Sequence, residues 1–159
     1  MKELFSIIAL EVPQPTDYGW FHLMFMAIII AATVLVCIYF KDCSDKAFRR
    51  IALVCWLIMI CFEIYKQLIF TFEYDNGAVS SDYDWRSFPF QLCSTPLYVL
   101  PFVAFLKDGK IRQACTSYIS TFAFFGGLVV FFYPNDVFNT PYLVIHIQTM
   151  VHHGLQVLT

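Results

Sequence analysis

The chain is 159 residues long, 59% hydrophobic, 19% aromatic and 14% charged, with a net charge of −2 and a mean hydropathy of +0.65. Soluble domains run ~25% charged and ~45–50% apolar, so this composition excludes an ordinary soluble domain and indicates a polytopic membrane protein. A slightly negative chain without a basic arm or aromatic–basic interleaving also excludes a nucleic-acid partner.

Residues 1–17 read as a lead-in, with a short interfacial helix ending at Pro13-Gln14-Pro15. Glu11 and Pro13 break its apolar run and acids stand where a basic region belongs, so it is not read as a signal peptide. Beyond it the apolar pattern predicts an all-α bundle of five membrane helices, over 19–40, 51–72, 88–106, 113–133 and 141–159. The whole of 1–159 reads as a single transmembrane domain. Because the fifth segment runs to Thr159 without a polar tail, the chain is expected to be a fragment of a six- or seven-helix protein.

Seven of the ten Lys and Arg residues lie in loops 41–50 and 107–112. The positive-inside rule then places those loops in the cytoplasm and the amino terminus outside. Trp20, Tyr74, Tyr83, Trp85 and Tyr133 fall near segment ends, as interfacial aromatics do. The six cysteines show no CxxC or metal-knuckle spacing. Cys37, Cys55, Cys61 and Cys115 read as small apolar filler.

The third segment, FPFQLCSTPLYVLPFVAFL, is uncharged but carries Pro89, Pro96 and Pro101. Read as a spanning helix, it would be distorted, with Pro96 leaving the Leu92 carbonyl without its donor beside Cys93. Gln91, Cys93 and that carbonyl would gather there. In the fourth segment, Ala123 and Gly127 form a small-xxx-small face for close helix packing, with Ser120 one turn earlier.

Ionisable groups inside the membrane are costly and point to function by default. Glu63 and Lys66 lie at i,i+3 on one face of the second segment and can neutralise each other, which is equally a structural role. The fifth segment carries His146, Gln148, His152 and His153. For any one of these histidines, hydrogen bonding to a neighbouring helix is explanation enough. At ~1.5 Å per residue, Cys93, His146 and Lys66 come out ~8–9 Å from the outer ends of their segments, Glu63 ~14 Å and His153 ~18 Å. Depth therefore groups Glu63, Lys66, Gln91, Cys93 and His146.

Such a group suits nucleophilic acyl transfer. A thiol needs a base to become a good nucleophile, an imidazole can take its proton, and a carboxylate such as Glu63 can orient the imidazole. Gln91 or backbone amides can stabilise an oxyanion. No cofactor is required, and without ligand spacing a metal site is not assigned. The reading from another class is a non-enzymatic transporter or small-ligand binder, in which Glu63, Lys66 and the histidines form a proton or substrate path.

The run Phe88-Pro89-Phe90-Gln91-Leu92-Cys93-Ser94 resembles the "LPL-x-LCS" signature of the YwaF-like integral membrane family. Gly126-Gly127, then Tyr133-Pro134-Asn135 and a histidine-bearing fifth helix, are similar to that family too. The likeness covers segments two to five. It implies a six- or seven-helix protein of a bacterial cytoplasmic membrane, with membrane lipids as partners. The family is related to the eukaryotic transmembrane protein 164 group, implied to be cysteine-dependent acyltransferases that remodel ether phospholipids. On that resemblance Cys93 matches the nucleophile and His153 the histidine, where depth alone prefers His146. Gln91, Lys66 and His152 would support the reaction.

Overall fold

The computed structural model describes residues 9–75, 78–134 and 137–159. The interfacial helix expected in the lead-in falls partly on residues 1–8, and Asn135 of the family motif on 135–136, both outside the described residues. The Tyr74 reading concerns a side chain that lies outside what is described as well.

Among the described residues, five α-helices form the fold. They are α1 (Trp20–Phe40), α2 (Asp45–Thr71), α3 (Pro96–Phe105), α4 (Lys110–Phe132) and α5 (Leu143–Leu158). Three of them, α1, α2 and α4, are long and apolar enough to cross a membrane. The first segment is nearly as predicted. The second begins earlier, because Ser44 caps α2 by accepting from the Ala47 amide and Asp45 opens the first turn, where a carboxylate favours the helix dipole. Residues read as a charged loop therefore belong to the helix.

The expectation of five membrane helices is corrected at the third and fifth. The helix in 88–106 is ten residues long and that in 141–159 is sixteen, short of the ~20 a span needs. Pro96 does not kink a helix. It starts one, at the first turn where its missing N–H costs nothing. Ahead of it the chain is extended and then makes a 3-10 turn over Leu92–Ser94. The Leu92 carbonyl is not left free: it accepts from the Thr95 amide at 3.2 Å and the Thr95 hydroxyl at 2.6 Å. The proline inside α3 is Pro101, which cannot donate to the Leu97 carbonyl one turn back. Trp56 of α2 fills that place, its indole N–H donating to Leu97 O at 2.9 Å.

Two short β features depart from an all-α plan. Phe72–Asp75 (β1) and Ala78–Ser81 (β2) pair antiparallel, with Phe72 opposite Ser81 and Asp75 opposite Ala78. The lead-in is not helical where it is described. Glu11 bridges Tyr142, with Val12 N donating to Pro141 O at 2.8 Å and Leu143 N to Leu10 O at 3.0 Å.

The interior has two apolar clusters. Ala52, Cys55 and Met59 of α2 meet Leu97, Leu100 and Val103 of α3 in one, and Phe21, Phe131, Phe138 and Met150 make the other. Helix α5 packs against α1, α2 and α4 and contributes to both. Nine of its residues are buried, among them His146, Gln148, His152, His153 and Gln156. By contrast, the apolar window of α1 is wholly unburied, and a run of exposed Ile, Leu and Val on that scale calls for lipid.

At the end of the bundle that carries the basic turns, Arg49 reaches the last carbonyls of α3. It donates to Leu106 O, to Ala104 O at 3.3 Å and to Asp108 at 2.9 Å. Arg112 donates to Val103 O at 3.0 Å and pairs with Asp45 and Asp108. Two guanidinium groups thus satisfy the orphan C-terminal carbonyls of α3 and join three helix ends.

Candidate functional site

A cavity of about 590 Å³ opens among α2, the 84–95 segment and α5. Six of the seven residues singled out in the sequence line it: Cys93, His152, His153, Glu63, Lys66 and Gln91. Cys93 sits in the 3-10 turn before α3, which is closed by Ser94 N donating to Gln91 O at 2.9 Å and Thr95 N to Leu92 O at 3.2 Å. Its Sγ donates weakly to Gln91 Oε1 at 3.6 Å, and Gln91 Nε2 donates to Arg86 O at 3.3 Å. The thiol's neighbour is therefore anchored to the preceding turn.

From the far side, α5 brings two adjacent histidines. His153 Nδ1 lies 2.8 Å from Thr149 O. A carbonyl can only accept, so Nδ1 carries the hydrogen and the neutral ring keeps a bare Nε2. His152 Nε2 lies 2.9 Å from the Cys93 carbonyl, so that ring is protonated on the opposite nitrogen. The two neighbours present opposite tautomers.

The approach of α5 to α4 depends on Gly127. A Cβ there would lie 2.6 Å from the His153 carbonyl and 3.0 Å from Gln156 Cβ. The packing face predicted at Ala123 and Gly127 thus seats the helix that carries the histidines. Gly127→Ala is expected to cost ~1–3 kcal/mol through overpacking, read as a lower Tm in detergent. Just before that face α4 contains a π-helical turn, Ile119–Ala123, and the preceding Tyr118 hydroxyl hydrogen-bonds Thr95 Oγ1.

Glu63 and Lys66 make the predicted i,i+3 pair at 2.8 Å, with side chains only 5% and 16% exposed. Gln67 Nε2 adds bonds to Glu63 Oε1 at 2.6 Å and Ser87 O at 2.9 Å, and Tyr83 OH donates to Gln67 Oε1 at 2.6 Å. The network is tied down on four sides. Removing one charge leaves the other buried and unpaired, which costs ~3–5 kcal/mol. Lys66→Met is expected at the lower end of that range, because Gln67 still donates to Glu63. The double variant Glu63→Gln, Lys66→Met should recover most of the loss in a thermal melt.

At the mouth, Arg86 grips Asp84 through Nε at 3.0 Å and Nη2 at 3.1 Å. This pairing holds the Asp84 carboxyl below the usual carboxylate range. Arg86 itself is 91% exposed.

His146 stands apart. It does not line the cavity but packs edge-on against Phe138 at 5.5 Å and Phe21 at 6.3 Å. The depth-based grouping measured height along the helix and left out direction around it. His22, not singled out beforehand, lies in the same aromatic cluster, stacked on Phe131 with its Nδ1 accepting from the Tyr18 amide at 3.1 Å. Gln156, Gln67 and Tyr83 were also missed. For Gln156 the available signal is its i,i+4 spacing from His152. Among the described residues no three His, Cys, Asp or Glu side chains come together as a metal site would require.

The TMEM164 family matches residues 17–159. The chain belongs to the TMEM164 family. Of the resemblance drawn from the LCS run, the match carries the transmembrane protein 164 relationship and not the YwaF-like branch. TMEM164 family membership and the three apolar helices make this an integral membrane protein. The matched stretch spans every helix and every cavity residue described above. No curated protein and no solved structure matches the chain.

Proposed function

We propose that this TMEM164 family member is a cysteine-dependent phospholipid acyltransferase working through an acyl-thioester on Cys93. The observation that carries the proposal is the shared cavity: Cys93 and His153 both line it, and the bond from His153 Nδ1 to Thr149 O leaves Nε2 free to accept a proton. His153 takes the thiol proton as the sulfur adds to the ester carbonyl of a phospholipid. The tetrahedral oxyanion collapses, the C–O bond breaks, and the lysophospholipid alkoxide leaves with the proton from His153. In the second half, the hydroxyl of an acceptor lysolipid gives its proton to His153 and attacks the thioester. The Cys93 thiolate leaves and recovers that proton.

Gln91, whose amide already meets the Cys93 thiol, supports the oxyanion once its bond to Arg86 O is exchanged. Glu63 and Lys66 are supporting groups in the cavity wall, and His152 is treated below. The chemistry is complete without a cofactor, and the partners are membrane lipids. The amino terminus lies outside, opposite the turns that carry Arg49 and Arg112. A bacterial cytoplasmic membrane suits this assignment.

The test is acyl exchange in mixed micelles. A phospholipid with an isotope-labelled acyl chain and an unlabelled lysophospholipid are incubated with the protein, and products are followed by mass spectrometry. Labelled chain on the former lysolipid, dependent on Cys93, supports the proposal. Ligand-dependent proton movement in liposomes without exchange would favour the transporter reading instead.

A further inference from the structure

We infer that His152 and Gln156 are positioning residues that together clamp the backbone carbonyl of Cys93 and so set the direction of its thiol. The inference rests on the acyl-transfer reading for its functional consequence, but the clamp itself is geometric. The Cys93 carbonyl accepts from His152 Nε2 at 2.9 Å and from Gln156 Nε2. Two donors use both lone pairs of that oxygen. They replace a bond the local chain cannot make. A carbonyl in a 3-10 turn is ordinarily taken by the amide three residues on, and here that residue is Pro96, which has no N–H. The proline that starts α3 thus hands the nucleophile's backbone to α5, 59 and 63 residues away.

The two donors are built for this. His152 and Gln156 are i,i+4 on α5, one above the other on a single face. They are 4% and 0% exposed, so neither bond competes with bulk solvent. Gly127 supplies the approach, since a side chain there would strike the α5 backbone at His153 and the Gln156 side chain.

The clamp also divides the labour between the adjacent histidines. His152 spends its Nε2–H on the carbonyl, and its Nδ1 is buried with no protein partner among the described residues. On His152 the nitrogen that reaches Cys93 is the one spent on its backbone, and the bare nitrogen is shut in on the other side of the ring. On His153 the committed hydrogen goes to Thr149 within its own helix, which leaves Nε2 for the proton. His153 is therefore the proton-transfer group and His152 the holder.

The experiment compares His152→Gln, which keeps an N–H near the Nε2 position, with His152→Phe and Gln156→Met, which remove a donor. Two readouts are taken on the full chain in detergent: acyl-exchange kcat and KM, and the pH profile of Cys93 alkylation by iodoacetamide, followed on the Cys93 peptide by mass spectrometry. Misaiming a reacting atom by about 1 Å costs on the order of 10²-fold, so His152→Phe and Gln156→Met are expected to lose about that in kcat with KM little changed. His152→Gln should recover at least tenfold over His152→Phe and leave the alkylation midpoint where the wild type has it. The clamp is overturned if His152→Gln is as impaired as His152→Phe and shifts the alkylation midpoint, which would make His152 the titrating base. It is equally overturned if Gln156→Met changes neither readout. Should the wild type exchange no acyl chains, the acyl-transfer reading fails, and the alkylation profiles of His152→Gln and Gln156→Met still decide the clamp.

Discussion

Cys93→Ala is expected to abolish acyl exchange while leaving the bundle folded. The thiol belongs to neither apolar cluster and its contact to Gln91 is a long one, so little packing is lost with the sulfur. The backbone is held independently, by two donors on the carbonyl, and alanine keeps that carbonyl. Stability should therefore change by well under 1 kcal/mol, as for a substitution that touches no core, cap or buried pair. Removing the nucleophile of a covalent mechanism typically costs ~10⁴-fold or more. Exchange by mass spectrometry and Tm in the same detergent separate the two effects. A variant that melts like the wild type and still turns over would rule out the thioester.

His153→Asn should give the second largest loss. Asparagine can place an N–H near the original Nδ1, so the bond to Thr149 O survives, but nothing replaces the bare Nε2. Loss of a positioned general base and acid costs ~10²–10⁴-fold in kcat. Because its proposed role is to handle protons rather than grip lipid, KM should move little. Alkylation of Cys93 by iodoacetamide should also slow at neutral pH and recover as the pH rises, since solution hydroxide then takes over the proton. An unchanged kcat, with an unchanged alkylation profile, would remove His153 from the mechanism.

Local chemistry was readable in the sequence wherever neighbours along one helix decide the outcome. The long apolar runs of α1, α2 and α4 announce themselves by length, and Glu63 with Lys66 pairs because three residues bring them to one face. Capping is readable too: Ser44-Asp45 is a good helix start, though the basic residues that follow it give the stretch the look of a loop. The Asn76-Gly77 dipeptide between two β-capable runs is likewise a hairpin signal.

Elsewhere the information was not local. Apolar composition made 88–106 look like a span, and only the position of Pro96 relative to its helix decides between a kink and a start. Nothing near residue 11 reveals that it will bridge residue 142. Depth along α5 put His146 beside Cys93. Direction around the helix sends it instead into the Phe21–Phe138 cluster, while His152 and His153 turn to the cavity. Gln156 shares a helix face with His152, but its partner is a backbone carbonyl freed by a proline on another element, which no local pattern names.

Cys93 is proposed to carry an acyl group, and a thioester trap tests that step itself. The protein in detergent is incubated with phospholipid radiolabelled in its acyl chain, denatured, and examined for label retained on the polypeptide. The expected result is retained label that neutral hydroxylamine releases and that is absent from Cys93→Ser. A folded protein that retains no label, or label that persists in Cys93→Ser, would contradict it and turn attention to the Glu63–Lys66 pair as part of a transport path.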